Sequence, residues 1–425
     1  MIYKINFEHL LMTTAEFIQQ YRTEDIRQLA FLAAKYPNVD AAFALDQIRG
    51  WQIARKKLTE WAKIEGLQFP PHLSMEQCSS EQTALYKAAI ANRLFTSLSA
   101  TATDAGSGAN NAVGDYLFVD ITGGFGVDFS FIASQLNIPS VYVEQNENLC
   151  QLARHNFPLL NLQKAKVVCG DGTEYAKTLT HATIVYMDPA RRNLHGARTY
   201  GIEDCTPNVL ELLPMLMQKT HYAVLKLSPM LDWHNTVDKI NGCLTDSAVA
   251  EIHIVSVANE CKELLVVVAH GKQQLKVECV NDNQSFTYLP TIPHVASSTH
   301  ATATVGAYLF EPNASCMKAG CFAAIEAEYG VRSVGANSHL FVADNDIPCF
   351  PGRRFEIHNI TTLNKKELKQ VLVGITKANI STRNFPLSVA ELRKKLKLAD
   401  GGNIYIFATT IGQKQHVMLI CNKLA

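Results

Sequence analysis

Apolar positions recur along this chain with two periods, and the change of period divides it. From residue 14 to 64 they return at helical spacing, with Asn38 placed as an N-cap before VDAAFALDQIRGWQIARKKLTEWAKI and a break at Gly66. Pro70 and Pro71 close that unit. The next stretch, SSEQTALYKAAIANRLF, sets Ser79 three residues before Gln82, the spacing of a capping box in front of another helix. Residues 101 to 111, TATDAGSGANN, are small and polar, as a linker or loop would be. From Tyr116 short apolar runs alternate with helical ones: LFVDI, SVYVE at 140–144, AKVVCGD at 165–171, TIVYMD at 183–188 and YAVLKLS at 222–228. This rhythm predicts an α/β fold with a mostly parallel sheet covered by helices on both faces. EIHIVSVANECKELLVVVAH then joins two β-rich runs by a few polar residues, a hairpin that places an antiparallel strand at one end of the sheet.

Beyond residue 272 the regularity weakens. SFTYL, YLF and HLFVA read as strands and Lys318 to Tyr329 as an Ala-rich helix, which suggests a small α+β domain. The tail is clearer, with RRFEIHNI, a helix at KKELKQVLV, TKANISTRNF, a helix at SVAELRKKL and the hairpin GGNIYIFATTIGQKQHVMLICNK, in the order β-α-β-α-β-β. The expected divisions are a helical domain at 1–110, a Rossmann-like domain at 111–271, the small α+β domain at 272–350 and the tail at 351–425.

Composition adds limits. A chain of 425 residues exceeds one ordinary domain, and 47% hydrophobic with 18% charged residues is the balance of a globular protein with buried cores. No apolar run approaches the ~20 residues of a membrane span. The start, MIYKINFEHLLMTTAEF, lacks the basic flank and long apolar core of a signal peptide, so the cytoplasm is expected. The 11 cysteines include no C-x-x-C pair, which indicates reduced core residues, no disulfide framework and no metal site. The zero net charge hides a division. From Arg353 onward there are thirteen Lys and Arg against four Asp and Glu, a net of +9, while residues 111–352 carry fifteen against twenty-four, a net of −9. A basic terminal module is an electrostatic footprint for a phosphate backbone, although a solvated surface also produces one.

The candidate chemistry begins at DITGGFG. Its glycines fall between a strand and a helix, where open α/β sheets bind ligands. The dinucleotide pattern G-x-G-x-x-G fails, because Phe129 stands where the third small residue belongs, and no Gly-Lys-Ser or Gly-Lys-Thr follows to make a P-loop. Four successive strands end in acids: Asp120, Glu144, Asp171 and Asp188. Any one of them alone is better explained as a helix cap or turn residue. Together on one sheet edge they repel a pyrophosphate and suit a cationic ligand rich in hydroxyls and amines, which describes S-adenosylmethionine.

The arrangement closely resembles the class I Rossmann-like methyltransferases, whose seven-stranded sheet ends in the same antiparallel hairpin. The resemblance implies that Asp120, Gly123, Gly124 and Gly126 lie beside the methionyl part of the donor. It likewise implies that Glu144 accepts the ribose hydroxyls and that Asp171 with Gly172 meets the adenine amine. In relatives that methylate exocyclic nitrogens the corner after the fourth strand reads Asn or Asp, Pro, Pro, aromatic. Here Asp188 and Pro189 are followed by Ala190 and Arg191, a departure that leaves the acceptor open. Asp188 is the candidate to orient or deprotonate the acceptor. Arg191 is the candidate to stack on a base or grip a phosphate, with pairing of Arg191 and Arg192 to Glu203 or Asp204 as the structural alternative. Cys261, in NECKE, reads as structural. Lys87 and Arg93 either close over the donor or merely belong to a covering helix.

DPARRNLHGAR, LKLSPMLD, NECKELLV, YLFEPNASCMKAG and SSEQTALYKAA narrow the resemblance to a bacterial group of methyltransferases with a THUMP-like domain at the carboxyl terminus. That likeness implies a ferredoxin-like insertion and, by analogy with THUMP domains elsewhere, RNA as partner. A protein or small-molecule acceptor, and a non-catalytic module that binds S-adenosylmethionine or RNA, are the alternatives.

Overall fold

The computed structural model describes residues 12–104, 116–191, 201–290, 306–412 and 415–424. Arg192 and most of the expected linker lie outside the described residues, as does the side chain of Arg191. The chain divides into two compact units, Met1–Lys226 with Asn235–Ala248 and Val267–Lys272, and the remainder.

The first unit opens with helices α1 (Thr14–Tyr21), α2 (Ile26–Ala33) and α3 (Ala41–Lys57), which enclose a small core of Phe17, Leu29, Ala44 and Ile48. Asp40, not Asn38, caps α3, accepting from the Phe43 N–H at 3.0 Å. After α4 (His72–Gln77) comes α5 (Glu81–Asp104), which continues into the stretch expected to be a loop. Ser80 takes the capping role expected of Ser79, accepting from the Thr83 N–H at 3.3 Å. The Ser79 hydroxyl is engaged elsewhere.

Alternating elements follow: β1 (Phe118–Asp120), α6 (Val127–Leu136), β2 (Ser140–Glu144), α7 (Glu147–Leu159), β3 (Ala165–Cys169), α8 (Gly172–Thr178) and β4 (Ala182–Met187). A short ribbon of β5 (Ala190–Arg191) and β6 (Cys205–Thr206) precedes α9 (Val209–Met217), β7 (Thr220–Leu227) and α10 (Trp233–Cys243). β7, β4, β1, β2 and β3 are neighbours in that order and all run parallel. Phe118, Val119, Ile184 and Val185 are fully covered, the mark of a sheet packed on both faces.

β8 (Ser247–Val257) and β9 (Glu260–His270) form the expected hairpin, turning through Ala258 and Asn259 at φ 51° and 62°. Such a turn matches the strand twist. The sheet holds nine strands where seven were expected, because β10 (Lys276–Asn281) and β11 (Gln284–Tyr288) extend it beyond β8. β10 runs parallel to β8. Residues 276–288, read from sequence as part of the small α+β domain, are therefore strands of this sheet.

The second unit also contains β12 (Tyr308–Pro312), α11 (Ala314–Ala319), α12 (Phe322–Tyr329), β13 (Arg332–Ser333) and β14 (Phe341–Ala343). The single helix expected from Lys318 to Tyr329 is broken at Gly320, which adopts φ 67°. The tail has the expected order: β15 (Gly352–Thr361), α13 (Lys365–Val371), β16 (Asn379–Arg383), α14 (Val389–Leu396), β17 (Ile404–Ile411) and β18 (Gln415–Lys423). All seven strands share one sheet, β13-β14-β12-β15-β18-β17-β16. Alternate residues of β17 and β18 feed two cores, Phe407 and Leu419 with Phe355 in one, Ile406 and Met418 with Leu392 in the other.

Candidate functional site

A cleft of 450 Å³ lies at the carboxyl ends of β1 to β4, and Asp120, Glu144, Asp171 and Asp188 all line it. The four strand-end carboxylates thus come together. Between β1 and α6 the chain turns through Gly124 and Gly126, at φ 55° and 84°, values that favour glycine. Gly123 and Gly172 are small for another reason than the one expected. A Cβ on Gly123 would lie 2.2 Å from the Tyr142 ring, and one on Gly172 would lie 1.9 Å from the Ile121 carbonyl oxygen. What approaches these two glycines is the protein itself, so they fix the shape of the cleft.

Each carboxylate has a distinct setting. Asp120 is buried, with 1% of its surface exposed, and accepts from the N–H and hydroxyl of Thr122 at 2.9 and 3.2 Å. Burial pushes its carboxyl up to about 8, against the opposing Thr122 hydrogen bonds and with help from the neighbouring charge of Asp128. Glu144 accepts from the Gly124 N–H through Oε2 and the Asn146 N–H through Oε1, both at 2.8 Å. It thereby ties the glycine turn to the end of β2 and still has a lone pair on each oxygen for a diol. Asp171 does cap α8, its Oδ1 accepting from Thr173 and Glu174 N–H groups at 2.7 and 3.0 Å. The same residue lines the cleft.

Asp188 is held at both ends. Its backbone N–H donates to the Thr122 hydroxyl at 2.7 Å, and its Oδ2 accepts from Lys226 Nζ at 2.5 Å. Lys226 also lies 3.7 Å from Asp128, which is buried in the first turn of α6. Asp128 Oδ2 accepts from the Ser79 and Tyr186 hydroxyls, each at 2.8 Å, while Lys87 Nζ stands 3.2 Å from Oδ1. Burial would raise the Asp128 carboxyl, but Lys87, Lys226 and the two hydroxyls overcome it and hold the group below its ordinary value. Lys87 is completely covered, so it does not close over the donor; it belongs to α5, which packs against α6 and β4. Arg93 is exposed and does not line the cleft.

The corner after β4 brings Pro189, buried, and Ala190, exposed and lining the cleft. Ala190 pairs with Thr206 and Arg191 with Cys205 across the β5–β6 ribbon, which draws Thr206 and Pro207 into the lining. Glu203 is bound to Lys239 at 2.7 Å. Thr122, Thr206, Pro207 and Lys226 were not among the sequence candidates. SSEQTALYKAA, which holds Ser79 and Lys87, and LKLSPMLD, which holds Lys226, carried the signal for the network beneath. Cys261 packs structurally as expected, its thiol 3.2 Å from the Ser256 hydroxyl and 3.4 Å from the Ala314 carbonyl.

In the second unit the basic tail is less open than its count implies. Arg353 and Arg383 pair with buried Glu311 of the FEPN stretch, at 2.7 and 3.0 Å, Arg354 pairs with Asp346, and Arg393 pairs with Asp400 at 2.6 Å. The exposed positive charge comes from lysines: Lys365, Lys366 and Lys369 on α13, and Lys394, Lys395 and Lys397 on and after α14. Among the described residues no helix is long and apolar enough to cross a membrane.

Residues 352–423 match a family model described as THUMP domain-like, and residues 308–351 one described as a ferredoxin-like domain. Among solved structures, a "putative methyltransferase" from Porphyromonas gingivalis W83 is similar over 100% of both chains, at 29% identity and a TM-score of 0.80. A SAM-dependent methyltransferase from Agrobacterium tumefaciens is 14% identical over 38% of this chain and 58% of its own, with a TM-score of 0.28. A second "putative methyltransferase", from Streptococcus mutans and in complex with SAH, is 11% identical over 37% of this chain and 89% of its own, also at 0.28. Comparison with curated proteins gave no match. The expected methyltransferase fold and THUMP-like tail are borne out along the chain.

Proposed function

We propose that this chain, a methyltransferase with ferredoxin-like and THUMP-like domains at its carboxyl terminus, transfers the methyl group of S-adenosylmethionine to RNA. The observation that carries the donor is the charge of the cleft. Five carboxylates line it, Asp128 among them, the one Lys or Arg among the described lining residues is Lys226, and that lysine is already paired with Asp188. Asp120 sits buried with its carboxyl raised for want of a cation, which a sulfonium and an ammonium would supply. Asp120 and the Gly123–Gly126 turn would hold the methionyl part, Glu144 the ribose, and Asp171 with Gly172 the adenine amine. The donor supplies an electrophilic methyl group, so what remains for the protein is in-line placement, able to contribute on the order of 7 to 11 kcal/mol.

Asp188, pinned by Thr122 and Lys226, would fix the acceptor nitrogen and take up its proton, with Pro189 shaping that corner and Arg191 reaching the nucleic acid. A carboxylate held on two sides keeps one orientation, which suits positioning. The lysines of α13 and α14 support RNA as partner, since they are exposed while Glu367 and Glu391 of the same helices are bound to Thr362 and Ser388. Eleven free thiols suit a reducing cytoplasm. The division of labour follows the expected segments: donor chemistry in 111–271 and RNA capture in 351–425.

Calorimetric titration with S-adenosylmethionine tests the donor site. Micromolar binding lost in Asp120→Ala and Glu144→Ala is expected. Absence of binding by the parent protein, with and without added RNA, would overturn it. For the acceptor, RNA affinity should fall as salt rises, and insensitivity to salt would remove the tail from the mechanism.

A further inference from the structure

The second unit gathers three cysteines from three separate places. Cys279 lies in β10, Cys316 in α11, and Cys321 is the residue that caps the start of α12. Their sulfur atoms all lie within 4.8 Å of one another, and the residues are 0%, 0% and 5% exposed. We propose that Cys279, Cys316 and Cys321 form a site for one soft d10 cation, zinc or copper(I), that fastens the α11–α12 junction to the β10 strand.

Three features carry this beyond the packing of small apolar side chains. Metal–thiolate bonds of about 2.3 Å arranged trigonally separate the sulfurs by about 4 Å, so little movement is needed to close the site. Among the described residues this is the only group of three or more His, Cys, Asp or Glu with ligand atoms so placed, so the coordination is three sulfurs without a fourth such residue. An all-thiolate set selects soft ions over magnesium or calcium, and iron–sulfur clusters ordinarily take four cysteines. The third feature is local. Cys321 makes no side-chain capping bond at the first turn of α12; its thiol turns back to the Cys316 carbonyl at 3.6 Å, at the end of a helix whose dipole favours a thiolate. Gly320, between the two helical cysteines, faces open space where a Cβ would meet nothing, which gives an ion a way in. On binding, each ligating thiol releases its proton to solvent and its sulfur donates a lone pair to the metal. No electron is transferred.

The consequence is structural. Asn313 of FEPN caps α11 through the Cys316 N–H at 3.1 Å, so an ion at Cys316 would hold this cap and the strand end before it.

The test uses the full chain purified under reductant. Elemental analysis should find about one zinc or copper per chain. After removal by a chelator, titration with zinc, cadmium or copper(I) should restore one equivalent, cadmium giving sulfur-to-metal charge-transfer absorption. The metal found in the chain as purified decides between zinc and copper(I). Cys316→Ser and Cys321→Ser should each weaken binding by about 100-fold or more, while Cys205→Ser, a buried cysteine outside the cluster, should not. Because a serine variant can fail to fold, alkylation read by mass spectrometry gives a check in the parent protein. Added metal should protect Cys279, Cys316 and Cys321 and leave exposed Cys169 and Cys349 reactive. Failure of all three ions to bind, or binding that leaves these thiols unprotected, would overturn the proposal.

Discussion

Two buried aspartates flank the same glycine turn and are kept in opposite states. Asp120, at the end of β1, meets hydrogen-bond donors from Thr122, and burial lifts its carboxyl to about 8. Asp128, at the start of α6, is as deep, but Lys87 and Lys226 with two hydroxyls hold it charged. Residue type and depth do not decide the difference. The supply of cations does: both aspartates line the cleft, and Asp120 is the one without a cation beside it among the described residues. A buried carboxyl without a counter-charge marks a place for a positively charged ligand, whereas one that is fully matched marks framework.

The strongest way to break this contrast is to remove the framework's cation. Lys87→Met leaves the Asp128 charge short of compensation and should cost about 3–5 kcal/mol of stability in thermal or denaturant unfolding. Adding Asp128→Asn should recover part of the loss, and a single-variant loss below about 1 kcal/mol would mean that Lys226 alone suffices. The next effect is on ligand. Asp120→Asn should weaken S-adenosylmethionine binding by about tenfold or more in calorimetry, since one carboxylate–cation contact at a buried site is worth about 1.5–3 kcal/mol. The same variant should be more stable than the parent near neutral pH. A folded value above the unfolded one means that the Asp120 contribution to stability is full below about pH 4 and is lost as pH rises toward 8. The advantage of the asparagine form in melting temperature should therefore widen over that range and level off above it.

A sharper test follows from linkage. If the donor's cation favours ionised Asp120, its affinity in the parent protein should climb between pH 6.5 and 8, by at most about tenfold per unit, with proton release on binding. The profile should flatten in Asp120→Asn. The smallest effect concerns the second unit. Changing Lys394, Lys395 and Lys397 to Gln should reduce the salt dependence of RNA binding by about 0.7 for each phosphate contact removed and leave donor affinity unchanged.

Sequence alone exposed the parts of this molecule that depend on local pattern. Parallel strands covered on both faces are unbroken apolar runs, so β1 to β4 stood out, and the acids that end them were visible with them. Interactions across distance were not visible. Ser79 has the spacing of a cap, yet its hydroxyl goes to Asp128, and Ser80 caps the helix in its place. Gly123 and Gly172 announced a close approach without saying that Tyr142 and Ile121 make it. β10 joins the first sheet through a parallel partner, β8, which no local pattern indicates. Thr206 and Pro207 reach the cleft only because β5 and β6 pair. Cys316 and Cys321 stand in a C-x4-C spacing, but Cys279 is remote from them in sequence, and only folding assembles the three.

The two domains recognised beyond residue 308 abut between 351 and 352, and at that seam Pro312 stands opposite Gly352 in a shared ladder. Glu311 crosses it to reach Arg353 and Arg383. What sequence families separate as two names is one continuous β-sheet. A cut there would part β12 from β15, leaving β12 with β14 and β15 with β18, and bare two adhesive edges. For anyone dividing the gene, the segment from 308 onward is a single structural part.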